Sequence, residues 1–474
     1  MTNESAYAKD SIVGIIGKIT KLIGGYGTLW LLTDLLSDES YGGYVTAVAI
    51  ISLFALLAQA GLRQATIQRV SELSVTDKRD ITRYVGAAIA WVGVITAVIT
   101  VGTWLLLPVL SPLINPVLLN WLRLLTLVIP GMALLPICSG VLRGLERVST
   151  AIVLEQIAVQ VIRLPCLAAA WLYWRDPVPV ALALGLAYYL PVAAFAIRTT
   201  GWRHLNFSGL SFSHLRYSGY LMLNSIASRF LKNTDVLLLA SLATLSVTGG
   251  YNVAWKLAVI ARYGDQILTN TLQPRISKYL AAGEISELRR EFNQVRDLSV
   301  VAVIPILIII LLFGKPLLAI FGDYTGQFSV LLILTVGAGI NASFGTIGQI
   351  LLMGKEGRLV LINTLISLFG NLLLNILLIP QYGAVGAALA TTFTVFFLTN
   401  LVAAIEVKYY LHIDTFDLIT LGLVLLLSVS VVATMFEIIP VLLTTIFSLA
   451  IAGTLVYRRY TFVSEVFQAY RVSL

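Results

Sequence analysis

Charge is what this 474-residue sequence lacks most: only 12% of its residues are Asp, Glu, Lys or Arg, against about 25% in an average soluble chain. With 58% hydrophobic residues and a mean hydropathy of +0.90, too few polar side chains remain to cover a water-soluble body. Cysteine and histidine are scarce too. Cys138 and Cys166 lie inside apolar runs, and His204, His214 and His412 are scattered, which excludes a zinc, iron–sulfur or disulfide framework. No Gly-rich phosphate loop is present: GKEGR at Gly354–Arg358 lacks the glycine spacing and the Ser/Thr of a P-loop, so ATP hydrolysis by this chain is not expected. The longest polar stretch, Arg275 to Asp297, is too short to build a catalytic domain. The start, MTNESAYAKD, sets Glu4 and Asp10 against Lys9; it is not the basic region of a cleaved signal peptide, so the first span is expected to stay. These absences predict a protein that is not an enzyme and holds no metal or cofactor.

What is abundant is apolar sequence in runs of about 20 residues, the length that crosses a bilayer as a helix. Fourteen spans are predicted: 12–36, 41–62, 84–107, 118–141, 150–174, 178–198, 215–242, 247–273, 298–314, 328–353, 359–379, 384–406, 417–436 and 440–457. Cytoplasmic loops hold the excess of Lys and Arg, which tests the parse. With the N-terminus inside, 22 cations fall in inside segments and only Arg175 and Lys315 fall outside. One helix more or fewer would destroy that asymmetry. The fold class is therefore all-α, polytopic, with both termini inside. The net charge of +8 follows mainly from this topology and implies no nucleic-acid partner.

The chain also repeats itself. GGY at Gly42–Tyr44 opens the second span and GGY at Gly249–Tyr251 the eighth, an offset of 207; LRGLER at Leu142–Arg147 and LMGKEG at Leu352–Gly357 are offset by 210. A six-span unit used twice accounts for both. It divides the chain into residues 1–205, 206–410 and a remainder, 411–474, that carries helices 13 and 14 and a cytoplasmic tail. An even number of spans per copy relates the halves by an axis along the membrane normal.

Eight cations lie within spans: Lys18, Lys21, Arg123, Arg163, Arg229, Lys232, Lys256 and Arg262. Each costs on the order of 2.5–3.5 kcal/mol at the bilayer centre, so each needs a reason. Lys18 and Arg123 lie near span ends and can reach the interface. Arg262 has Asp265 three residues on, and Lys232 has Asp235, which makes ion pairing an alternative for both. Arg163, Arg229 and Lys256 are about nine or more residues from a span end. By the repeat, helices 1 and 7, and 2 and 8, are copies that can line a central cleft with a positive wall. Gln156, Gln160 and Arg163 form one polar stripe on the fifth helix. Such a pathway suits an anionic passenger, and a diphosphate needs more than one cation to be held.

From Lys355 to Glu406 the sequence reads KEGRLVLINTLISLFGNLLLNILLIPQYGAVGAALATTFTVFFLTNLVAAIE. With Asn371 and Asn375 before Leu378–Pro380, Tyr382-Gly383, and Gly386-Ala387-Ala388, it resembles the C-terminal half of polysaccharide and lipid-linked oligosaccharide flippases, the O-antigen-type repeat-unit transporters. These belong to the MATE-like multidrug/oligosaccharidyl-lipid/polysaccharide exporter superfamily. Asp235 with the following GYNVAWK at Gly250–Lys256, and FGDY at Phe321–Tyr324, resemble other passages of the family; the first six spans match it in hydropathy and loop placement. The same small residues also have a packing role, and Asn371 and Asn375, four apart, can hydrogen-bond a neighbouring helix.

The resemblance implies a flippase in the cell membrane that moves a polyprenyl-(di)phosphate-linked glycan by alternating access. Its partners would be that glycan, membrane lipids, and a polymerase or glycosyltransferases of the same pathway. The headgroup candidates are Lys21, Arg63 at the cytoplasmic mouth, Arg163, Arg229, Lys232, Lys256 and Arg262. Asp265, Glu155 and Asp235 are candidates for Na+ or proton coupling, or for counter-ions; Gln156 and Gln160 for polar lining. The first alternative is a cation-coupled multidrug exporter of the same superfamily, which should carry acids against cationic drugs. The second is a membrane-embedded glycan polymerase or ligase, which would need a large outside loop with carboxylates.

Overall fold

Inside a bilayer a backbone must satisfy its own hydrogen bonds, and helices do so within one segment. Every element found is helical. The computed structural model describes residues 2–59, 61–76, 78–174, 176–198, 212–354, 356–413, 415, 422, 424, 429 and 441–458. The expected span at 417–436 apart from residues 422, 424 and 429, the tail beyond Arg458, His204, and the loop cations Arg175, Arg203, Lys355, Arg459 and Arg471 lie outside them. Among the described residues, nine segments are long and apolar enough to cross a membrane. The chain is a multi-pass membrane protein.

The helices form two compact units, Met1–Ala240 and Ser241–Leu474. The first holds α1 (Thr2–Leu35), α2 (Asp38–Gln59), α3 (Leu62–Thr76), α4 (Lys78–Leu110), α5 (Pro116–Leu125), α6 (Ile129–Gly144), α7 (Val148–Ile152), α8 (Ala158–Tyr173), α9 (Pro177–Arg198) and most of α10 (Phe212–Leu242). The second holds α11 (Leu245–Ala258), α12 (Tyr263–Ala282), α13 (Ile285–Ala319), α14 (Phe328–Phe344), α15 (Ile347–Met353), α16 (Gly357–Thr391), α17 (Thr399–Tyr410) and α18 (Val441–Arg458). Expected spans 215–242 and 247–273 are helical, as α10 and as α11 with α12, yet are not among the nine. Arg229, Lys232, Asn233 and Asp235 dilute the first, and Asn252, Lys256, Arg262 and Asp265 dilute the second. Spans 359–379 and 384–406 share one continuous candidate, Gly357–Tyr410, within which the chain bends at Gly383, whose φ of +55° and ψ of −130° no helix contains.

Two stretches read as loops proved to be built structure. Residues 63–83 include α3, whose Val70 and Leu73 pack with Tyr84, Val85, Cys138, Val141 and Leu142. The polar stretch 275–297 is an α12–α13 hairpin in which Glu291 accepts from Arg275 at 3.2 Å and from the Tyr279 hydroxyl at 2.7 Å. At its base Arg296 and Asp297 are only 1% and 2% exposed. Arg296 donates to Asp297 at 3.0 Å, to Asn293 at 3.0 Å and to the Thr415 carbonyl at 3.2 Å. Breaking a buried pair strands a charge, at about 3–5 kcal/mol. Asp297→Asn is therefore expected to lower the melting temperature of the purified protein sharply, more than Arg290→Gln on the exposed side of the same helix.

The two GGY motifs do the same job in each unit. A Cβ at Gly43 would meet Trp121 Cδ1 at 3.0 Å, and one at Gly250 would meet Gln327 Cγ at 2.8 Å. Trp121 and Gln327 differ by 206, close to the offset of the motifs themselves. Asn371 reaches Thr391 at 3.0 Å and Thr394 at 3.3 Å, and Asn375 donates to Asn371 Oδ1 at 3.0 Å. All four are buried, so these amides bind one helix to the next.

Candidate functional site

In the first unit the chemistry begins with a glycine pair. Gly140 and Gly144 of α6 are four apart, and a Cβ at Gly144 would lie 2.8 Å from the Ile67 carbonyl of α3. The small residues let the two helices close, which carries Arg63 of α3 towards Ser139 and Arg143 of α6. Their common partner is Glu155. Arg63 Nη2 donates to both carboxylate oxygens, at 2.9 and 3.0 Å; the Ser139 hydroxyl donates to Oε2 at 2.7 Å; Arg143 stands 3.6 Å away. Glu155 lies in a π-helical turn, Val153–Ile157, between α7 and α8, where the Ala158 N–H bonds back to the Val153 carbonyl. Such turns insert one residue into a helix and recur at functional sites.

About two turns further on, in α8, Arg163 is half-buried and donates to Gln160 Oε1 at 2.5 Å, while its Nε has no partner among the described residues. Gln160 is fixed in turn against α1, where a Cβ at Gly24 would come 2.7 Å from its oxygen. Gln156 faces Gly17 in the same seam. Arg163 and Arg229 of α10 both lie within electrostatic reach of the Tyr188 phenol, as does Glu155, and Tyr44 feels Arg163 and Tyr188. Tyr188 is held by its Cβ against Gly131 and by Leu135, Val159 and Ile162. Tyr44 stands edge-on to Trp121, 5.2 Å between ring centres. Arg163 is the cation common to both phenols, and Arg229 acts on Tyr188.

The second unit carries a different cluster. Tyr251, Trp255 and Phe396 stack in sequence, with ring centres 6.5 and 6.3 Å apart, and the Arg262 guanidinium lies over Phe396 at 5.2 Å. Phe396 belongs to a second π-helical turn, Thr392–Leu398, and fills the space a Cβ at Gly337 would take. Asp265 is 7% exposed. Its Oδ2 accepts from Asn341 at 3.4 Å, Asn341 accepts from Asn400 at 3.0 Å, and its Oδ1 has no hydrogen-bond partner among the described residues.

The expected site residues are thus partly gathered. Arg63 and Glu155 meet directly; Arg163, Gln160 and Arg229 share one region, with Gln156 in the adjoining seam. Arg262 and Asp265 lie within electrostatic reach of each other with no ion pair of 4 Å or less among the described residues, and the guanidinium lies over the Phe396 ring. Lys21, with Lys18, is on an exposed face of α1, and Arg229 and Lys232 are exposed on α10, while Asp235 is buried and Lys256 half-buried. The sequence reading missed Ser139, Arg143, Tyr44, Tyr188, Asn341, Asn400 and Phe396. For Ser139 and Arg143 a signal existed, the Gly140–Gly144 spacing between them; Tyr188, one of two adjacent tyrosines in an apolar run, offered none.

Residues 7–280, more than half of the chain, match a family described as polysaccharide biosynthesis protein. A Haloferax volcanii protein named as a probable low-salt glycan biosynthesis flippase, Agl15, is 32% identical over 181 residues, which span 38% of this chain and 38% of that protein. A second from that organism, the probable flippase AglR, is 24% identical over 387 residues, covering 78% of this chain and 76% of that protein. Among solved structures, the lipid II flippase MurJ in an inward closed conformation matches with a TM-score of 0.71 at 12% identity, over 96% of this chain and 99% of that one. The last is a likeness of fold.

Proposed function

Because the chain belongs to the polysaccharide biosynthesis protein family, we propose that it is a flippase. It carries a polyprenyl-(di)phosphate-linked glycan across the cell membrane by alternating access, for surface polysaccharide or glycan assembly. The observation that carries this reading is the pair Arg163 and Arg229 around Tyr188, with the Arg163 Nε unpartnered. Two guanidiniums match the charge and the lone pairs of a diphosphate, with Glu155 as the acid within reach of the same phenol. The isoprenoid tail stays in lipid while the headgroup crosses. Lys21 and Lys232 in the first unit and Lys256 and Arg262 in the second are further headgroup candidates, and Asp265, Glu155 and Asp235 are the candidates for ion or proton coupling or for counter-ions.

The test is transport by the purified chain. In proteoliposomes containing a fluorescent polyprenyl diphosphate sugar, the outer leaflet is bleached by a membrane-impermeant reductant. Protein-dependent loss of the protected half is expected. Equal protection with and without protein, together with export of a cationic dye, would support the multidrug reading instead.

Fourteen spans with both termini inside are part of the same proposal, as are six-helix halves at 1–205 and 206–410 followed by 411–474. In a background with Cys138 and Cys166 replaced by alanine, single cysteines at Ser74, Glu287 and Gly357 are expected to react only from the cytoplasm. Those at Asp38, Asp176 and Gln381 should react only from outside. Labelling at Glu287 from outside in intact cells would overturn the orientation of the second half.

A further inference from the structure

Glu155 collects more partners than a counter-ion to one arginine needs. Arg63 holds both its oxygens from α3, while Ser139 and Arg143 hold Oε2 from α6. The two sets lie on different helices, so the carboxylate can release Arg63 without losing Ser139 and Arg143. Ser139 is fully buried, and the Arg143 Nε approaches its hydroxyl at 3.4 Å, which keeps that half of the network in place. The Arg63 side chain is about one-third exposed, with an Nε that has no partner among the described residues. Ser139 is thus the buried member of the network, while the Arg63 and Arg143 side chains are both partly exposed, at 35% and 29%.

We propose that Glu155 is a resident competitor for the substrate's phosphate: it occupies Arg63 in the empty protein, and an arriving phosphate displaces it onto Ser139 and Arg143. This rests on the flippase reading and deepens it by assigning Ser139 and Arg143, which touch no substrate, as positioning residues for the exchange. The charge balance is favourable throughout. Arg63 exchanges one anionic partner for another and is never left bare, while Glu155 retains a guanidinium and a hydroxyl. The π-helical turn supplies the freedom, because one extra residue in a helix amounts to a rotation of roughly 100° when the turn relaxes to α geometry. Gly17 of α1 packs against the flanks of this turn, Ile152 and Gln156, and not against Glu155 itself. Loading is thereby coupled to a change in the helix that also bears Arg163.

The test uses the full chain in detergent with farnesyl diphosphate as probe and farnesol as the uncharged control. Glu155→Gln is expected to tighten farnesyl diphosphate binding about tenfold, because the competitor is gone. Ser139→Ala should weaken it roughly three- to tenfold without touching the ligand, because the displaced carboxylate has lost its landing place. Adding Arg63→Gln to Glu155→Gln should erase the gain. A network that only holds the fold would move the first two variants in the same direction, together with their melting temperatures, and that result overturns the exchange. So does unchanged affinity in Glu155→Gln when Arg63→Gln alone weakens binding. If the unmodified protein does not prefer farnesyl diphosphate to farnesol, the flippase reading itself fails, an outcome distinct from the other two.

Discussion

Arg163→Gln and Arg229→Gln are each expected to lower flipping of a lipid-linked glycan ten- to a hundredfold, and together to abolish it, with folded protein near its normal level. The magnitude follows from the bonds at stake. A hydrogen bond to a charged group is worth about 1.5–3 kcal/mol, and a guanidinium offers a phosphate two such bonds in fixed geometry. The same loss does not threaten the fold. The polar contact of the Arg163 side chain is with the neighbouring Gln160, an interaction within one helix, and Arg229 is exposed on α10. Neither arginine has an ion pair among the described residues, so neutralisation leaves no stranded partner. Arg229→Lys separates two forms of the site: it should retain much of the rate if charge alone is needed, and little if the planar fork binds phosphate. If these arginines instead tied helices together, neutralisation would reduce membrane abundance first and transport only in proportion. Normal export in the double variant would end the cationic-site proposal.

How much of this was legible in the sequence depends on whether a property is carried by one segment or by the meeting of two. Helical membrane spans follow from apolar runs alone, and the paired GGY motifs followed from two offsets that agree. Their function did not: that Gly43 seats Trp121 and Gly250 seats Gln327 needs a partner about 80 residues away. The same limit applies to charge. Arg63 was placed at a cytoplasmic mouth and Glu155 among coupling candidates, yet their contact spans 92 residues and runs through a glycine pair on a third helix. Arg296 counted as a loop cation because Lys and Arg content marks the cytoplasmic side whether or not the side chain is buried. Spacing suggested Arg262 with Asp265, but three residues apart on a helix makes an ion pair available, not obligatory. Here Val259–Arg262 is a 3-10 turn, which alters the facing, and the Phe396 ring offers the cation a competing seat.

That seat decides what Asp265 is expected to do. Were it a counter-ion, Asp265→Asn would cost transport by leaving Arg262 bare, and adding Arg262→Gln would restore it. The guanidinium already has the Phe396 face, and cation–π contacts of this kind contribute on the order of 0.5–2 kcal/mol, so restoration is not expected. Asp265→Asn preserves the shape of the side chain and an oxygen for the Asn341 amide to donate to, and it removes only the charge. Oδ1, which makes no hydrogen bond of ordinary geometry among the described residues but has the Ser299 hydroxyl beside the carboxylate, is where a proton or small cation would be held, with Asn341 and Asn400 fixing the carboxylate from the other side. The single variant is therefore expected to bind farnesyl diphosphate normally while turnover falls at least tenfold. It should also lose any dependence of the rate on an imposed sodium or proton gradient. The double variant with Arg262→Gln should remain inactive. Recovery in the double variant would return Asp265 to the counter-ion role, and a fully active Asp265→Asn would remove it from both.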